Sequence, residues 1–165
     1  VTVVSDSSPL ITLARIRCFD LLHSLYSRIY ISTAVHKEVV IDGSTLPGAL
    51  EVSRCGWIEV KAVQNTDGLA AAVAKTGLGV GEASAVMLAK ELSADLILID
   101  EWKARRYAIS EGLRVIGCVG ILESLYEQGH VSDLRDAYQE LIHQKTRIDL
   151  QTLQRSLAEF KLPPL

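Results

Sequence analysis

The sequence predicts an α/β fold built on a parallel sheet, and three observations carry that reading. The stretch GVGEASAVMLAKELSADLILIDEWKARRYAISEGLRVIGCVG, residues 79–120, reads as Ala-rich helix, short apolar strand, amphipathic helix and short apolar strand. That alternation is the rhythm of βαβ units. Its LILID segment at 96–100 stays apolar at consecutive positions until the final acid, as a strand buried on both faces does. The chain is also 48% hydrophobic but only 5% aromatic, the composition of an aliphatic interior.

The elements follow in order. VTVVS at 1–5 is a β-branched strand that ends on Asp6. Ser8 precedes Pro9 and is placed to cap a helix over Pro9–Ala14. Phe19–Leu25 is a short helix and Arg28–Ile31 the second strand. Ser32 or Thr33 then caps a helix through Val40, with Glu38 beside Val35 on its surface. Ile41–Pro47 reads as loop, Gly48–Arg54 as helix, Trp57–Val60 as the third strand and Asn65–Thr76 as helix. Gly77, Gly79 and Gly81 follow a helix rather than a strand and lack the GxGxxG spacing, so they make a turn and not a dinucleotide loop. A helix over Glu82–Leu92, a strand at 96–100, a helix over Trp102–Glu111 and a strand over Arg114–Ile116 come next. Two helices, Asp133–Lys145 and Asp149–Phe160, end the chain. Leu150, Leu153, Leu157 and Phe160 form a stripe that docks the last one on its own domain.

At 165 residues the chain suits one domain with a sizeable core, with 130–165 as a helical extension packed on it. The net charge of −3 provides no global basic field, so any nucleic-acid contact must be local. Cys18, Cys55 and Cys118 lack CxxC or Cys/His spacing, which argues for reduced thiols in a cytoplasmic protein and against zinc. No apolar run approaches membrane-spanning length and the N-terminus has no secretory pattern. The expectation is a soluble protein without a membrane partner.

Four acids share one kind of structural address. Asp6 follows the first strand, Glu38 lies in the helix after the second, Glu82 opens a helix, and Asp100 ends the fourth strand. With the first strand at the centre of a parallel sheet, these addresses converge beyond the strands' carboxyl ends, where such sheets bind ligands. Clustered carboxylates repel and raise one another's pKa. A hard divalent cation such as Mg²⁺ or Mn²⁺ relieves that repulsion, and the chemistry that follows is metal-assisted phosphodiester hydrolysis.

The succession VVSDSSPLITLA, HKEV, GEASAVMLA, LILIDEWKARRYA and LRVIGCVGIL resembles the PIN domain family. It is similar above all to the bacterial and archaeal branch of VapC-type toxin ribonucleases. The resemblance runs from Val1 to about Gly129. It implies a three-layer α/β/α sandwich around a mostly parallel sheet, a Mg²⁺- or Mn²⁺-dependent RNase, a homodimer, and an antitoxin as partner. Carried over, the family's four acids fall on Asp6, Glu38, Glu82 and Asp100, with Asp6, Glu82, Asp100 and Glu38 as metal ligands. Ser7 takes the place of a hydroxyl residue able to steady Asp6 or a metal-bound water. Lys103, Arg105 and Arg106 are the candidates for phosphate contacts.

Two departures from the family pattern stand out. Glu82 occupies a position where many members have Asp. Trp102, Lys103 and Ala104 stand where many place a further acid or Asn, which bears on a second metal. Glu101, next to Asp100, is expected to point away by strand alternation.

Three functions compete on these residues. The first is a metal-dependent ribonuclease, the toxin of a toxin–antitoxin pair. The second is a catalytically weak or inactive PIN-like module that binds RNA or protein. The third, a phosphatase or receiver domain using Asp6 as phosphoacceptor, lacks a Lys at a strand end.

Overall fold

A computed structural model describes residues 1–165. Its strands are short: β1 (Val3–Ser5), β2 (Ile29–Ser32), β3 (Ile58–Lys61), β4 (Leu96–Leu98) and β5 (Val115–Ile116). They form one sheet in the order β3–β2–β1–β4–β5, and every pairing is parallel. Val3 pairs with Leu96, Val4 with Ile97 and Ser5 with Leu98. Val3, Val4, Ile97, Leu98 and Ile99 are fully buried, which explains why these strands carry apolar side chains without alternation.

The helices are α1 (Ser7–Arg15), α2 (Leu22–Leu25), α3 (Thr33–His36), α4 (Ala49–Arg54), α5 (Thr66–Thr76), α6 (Val80–Glu91), α7 (Trp102–Ser110), α8 (Cys118–Glu127), α9 (Leu134–His143) and α10 (Leu150–Glu159). Helix α6 lies across β2, β1 and β4 with α3, α5 and α7 beside it. Its buried Ala83, Ala85, Val86 and Ala89 are small enough to bring its backbone close to the sheet. The second helical layer groups α1, α2 and α8, and α8 carries α9 and α10. The fold is therefore an α/β three-layer sandwich with a wholly parallel sheet.

Several boundaries differ from expectation for local reasons. Helix α1 begins at Ser7, with Asp6 rather than Ser8 at its N-cap. Beyond α3 the backbone widens into a π-helical segment, Lys37–Asp42, so the helix outlasts Val40 and carries Glu38 on an irregular turn. Strand β4 ends at Leu98, although Ile99 N–H still bonds to Ile116 O in a last rung beside β5. Nothing in the sequence pattern assigns α8, whose first turn the glycines at 117 and 120 obscure.

The terminal helices dock on α8. Leu153 and Leu157 are buried, and Phe160 meets the Tyr126 ring edge-on at 5.5 Å. Leu150 is 53% exposed and does not belong to the docking stripe. Ser156 contributes instead, donating to Glu123 Oε1 at 2.7 Å and meeting the Tyr138 hydroxyl.

Candidate functional site

The strand order reverses between β1 and β4. After β1 the chain lays β2 and β3 to one side, then crosses back to place β4 and β5 on the other. A crevice opens beyond the carboxyl ends at such a reversal. Asp6 is the first residue past β1, and its N–H donates to Leu98 O at 2.9 Å. It therefore emerges level with the end of β4, just before Asp100.

Asp6 sits at the N-cap of α1 but its side chain makes no capping bond. The residue is 2% exposed, and Oδ1 is buried without a hydrogen-bond partner. Such an orphaned acceptor costs free energy, of order 1–3 kcal/mol. Burial, above all, pushes the Asp6 carboxyl up to about 7; the Ser7 amide opposes the rise, and the charges of Glu82, Glu38 and Asp100 add to it. The structure thus brings the four acids named from sequence into one electrostatic neighbourhood.

Each of the other three acids is tied to a partner of its own. Glu38, exposed on the π-helical turn, accepts a 2.6 Å bond from Ser7 Oγ at Oε2. Ser7 therefore braces Glu38, where sequence pointed to Asp6 or a water. Glu38 also occupies room that only a glycine leaves, because a Cβ on Gly81 would overlap its carboxylate. Glu82, half-buried near the start of α6, accepts from Gly79 N–H at 3.3 Å. Its carboxyl is raised by burial first, against the Gly79 amide; Glu101 and Glu38 raise it further and Lys103 opposes.

Asp100 is gripped by the first residue of α8. Its Oδ1 accepts from Cys118 N–H at 2.7 Å and its Oδ2 from the Cys118 thiol at 2.9 Å. Burial, then the Asp100 charge, holds that thiol well above its usual pKa, so it stays a donor. Gly117 keeps the approach open, since a Cβ there would stand 2.8 Å from Asp100 Oδ1.

Two residues here are not found by sequence reasoning. Cys118 carries no ligand spacing, and its contact depends on α8 starting level with Asp100. Glu101 does not point away. Strand alternation does not govern it, because β4 has already ended at Leu98. Its Oε2 caps α7 by accepting from Ala104 N–H at 2.8 Å, and its charge reaches Glu82.

The three basic residues separate. Lys103 and Arg106 are exposed. Lys103 Nζ reaches to 3.6 Å from where a Gly77 Cβ would be, and the Arg106 guanidinium lies 4.7 Å from the centroid of the Trp102 ring. Arg105 turns inward, and its Nη1 donates to Ile99 O at 3.0 Å. That bond braces the chain just before Asp100 and engages one of the guanidinium's donors.

No three His, Cys, Asp or Glu side chains stand together as a formed metal cage. The acids lie beyond the carboxyl ends of the strands, yet the oxygens of three of them are turned to Ser7, Gly79 and Cys118. The donor set is nonetheless all carboxylate oxygen, suited to Mg²⁺ or Mn²⁺ rather than a soft metal. Asp6 Oδ1 is free, and the room beside Gly81 lets Glu38 approach. Asp6, Glu38, Glu82 and Asp100 would have to draw closer together than they stand to hold such an ion.

Comparison with known proteins agrees with this architecture. The crystal structure of PAE2754 from Pyrobaculum aerophilum superposes with a TM-score of 0.53 at 16% identity, covering 77% of this chain and 98% of that one. At that identity the likeness speaks for the fold. No curated protein matches in sequence. A family model described as "DUF3368: PIN domain" matches residues 2–162, nearly the whole chain and every acid of the cleft. The chain belongs to the PIN domain family.

Proposed function

We propose that the chain is a Mg²⁺- or Mn²⁺-dependent endoribonuclease. PIN domains are generally nucleases. The observation that carries the proposal is Asp6: a buried carboxyl with an unpartnered oxygen, raised to about 7 partly by three other acids. Such a site is costly for a folded protein unless a cation is its intended occupant.

In this reading Asp6, Glu82 and Asp100 would hold the metal, and Glu38 would serve as a further ligand or as the group that accepts a proton from water. A bound divalent ion supplies charge stabilisation at the phosphate and a lowered pKa for water. Ser7 holds Glu38 in place, and Cys118 orients Asp100 through both carboxylate oxygens. Lys103 and Arg106 contact the RNA backbone. The order of motifs further supports the toxin of a toxin–antitoxin pair, acting in the cytoplasm as a homodimer restrained by an antitoxin. No helix is long and apolar enough to cross a membrane.

A second reading, a catalytically weak or inactive module that binds RNA or protein, draws on the lack of a formed cage. Incubating the purified chain with labelled RNA in Mn²⁺, Mg²⁺ or EDTA separates the two. Cleavage with either ion and none in EDTA is expected, whereas intact RNA under all three conditions favours the module. A small reading frame beside the gene tests the toxin role.

The basic residues give a separate expectation. Lys103→Ala with Arg106→Ala should weaken RNA binding and lower the salt slope by about 1.4, at roughly 0.7 for each single-strand phosphate no longer neutralised. Arg105→Ala should leave that slope alone and instead cost about 1 kcal/mol of stability through the missing bond to Ile99. A change in slope for Arg105→Ala, with none for the pair, would reverse these roles.

A further inference from the structure

The chain has two tryptophans, and only one is explained by packing. Trp57 is half-buried, with its ring 5.2 Å from both the His23 and Phe19 rings. Trp102 is 67% exposed at the first position of α7, where neither the core nor the helix N-terminus requires an aromatic. Its ring is nevertheless held in place. Arg106, one turn on, brings its guanidinium to 4.7 Å from the ring centroid, a cation–π distance. Trp102 is thus a braced apolar plate that still presents most of its surface to solvent.

Its position is tied to the acidic cleft. Trp102 lies two residues past Asp100, at most about 7.6 Å away between Cα atoms. The residue between them, Glu101, acts on Glu82. Lys103 reaches toward Gly77, in the turn that leads to Gly79 and Glu82. An aromatic ring with Arg106 against it, and Lys103 exposed on the same helix turn, is the combination that single-stranded nucleic acid uses, with cations on the phosphates and a ring beneath a base.

We infer that Trp102 is a stacking platform for an unpaired nucleobase of the RNA strand, beside the phosphate presented to the acids. The inference rests on the ribonuclease reading and adds to it one contact, a base that must be unpaired where it meets Trp102, because a paired base is already stacked within its duplex and cannot lie on the ring.

The test measures binding in EDTA, where it does not depend on cleavage. A short single-stranded oligoribonucleotide, the same strand in a duplex and an abasic strand of equal length are titrated against wild type, Trp102→Ala and Trp102→Phe. The single strand should quench tryptophan fluorescence in wild type and not in Trp102→Phe, where Trp57 remains as an internal reference. Its affinity should fall roughly 5- to 150-fold in Trp102→Ala and change little in Trp102→Phe. The abasic strand should bind wild type and Trp102→Ala alike, and the duplex should quench neither.

Equal affinity of the single strand for wild type and Trp102→Ala overturns the inference. So does a loss of dimer mass in Trp102→Ala by sedimentation, which would place the ring against a second copy. Cleavage in Mn²⁺, run alongside, keeps the two proposals apart. A wild type that cuts RNA while Trp102→Ala cuts with unchanged KM refutes only the platform. A wild type that binds through Trp102 but cuts nothing refutes only the nuclease.

Discussion

Asp6→Asn is expected to lower RNA cleavage at least about a hundredfold, and to do so without unfolding the protein. A hundredfold corresponds to about 2.7 kcal/mol of transition-state stabilisation, within what one ligand of a charge-stabilising ion supplies. Asp100→Asn should lose as much activity for a different mixture of reasons. Asp100 receives two donors from Cys118, and an amide there turns an N–H₂ group toward one of them. That mismatch should cost about 1–3 kcal/mol of stability, whereas Asp6 Oδ1 faces no donor. Cleavage rates and thermal unfolding, measured on both variants, check the pair. Near wild-type turnover in either one would remove that residue from the catalytic centre.

The second large effect is on stability and reverses the usual sign for an aspartate. The Asp6 carboxyl is raised from an ordinary value near 3.8 to about 7, first by burial and then by its acidic neighbours. Between those values the folded protein holds a proton that the unfolded chain has released. Stability should therefore fall as pH climbs from about 4 and level off above about 7. The full penalty is on the order of 4 kcal/mol, because each pH unit between the two values contributes about 1.36 kcal/mol. In EDTA, Asp6→Asn combined with Asp100→Asn should melt above wild type at pH 8, because relief on the order of 4 kcal/mol exceeds the loss of about 1–3 kcal/mol at Cys118, and this advantage should shrink toward pH 4.

Mn²⁺ at a hundredfold excess over its dissociation constant should return about 2.7 kcal/mol to the wild type, a rise on the order of 5–10 °C. The double variant should not respond. Thermal scans across this pH range, with EDTA or Mn²⁺, read both effects. A wild type whose stability is flat from pH 4 to 8 and indifferent to metal would mean that the four acids share no site.

Much of this was legible in one dimension. A continuous apolar run closing on an acid, as in LILID, announces both a buried strand and a carboxylate at its end, and VTVVS followed by Asp6 repeats the message. What stayed hidden depends on approaches through space. Gly81 belongs to a glycine cluster that sequence explains as a turn, yet its missing Cβ also makes room for Glu38 from another helix. Cys118 meets Asp100 only because α8 begins where β4 has just ended. Arg105 and Arg106 are neighbours of identical chemistry, but helical geometry turns one inward to Ile99 and the other outward to Trp102. The extent of β4 could not be read either, since Ile99 is as apolar as the residues before it, and with that boundary went the orientation of Glu101.

The central place of β1 has a consequence for the order of events during synthesis. Of the five strands of the sheet, the earliest made is the one that needs neighbours on both sides, and its partner β4 exists only after residues 96–98 have been added. Asp6 waits for Asp100, 94 positions later, and Asp100 waits for its clamp at Cys118. Pairing across such a separation is entropically late. A nascent chain therefore carries Asp6, Glu38 and Glu82 before β4 and α8 exist to set Asp100 beside them, and the four acids can meet only once Cys118 has been added.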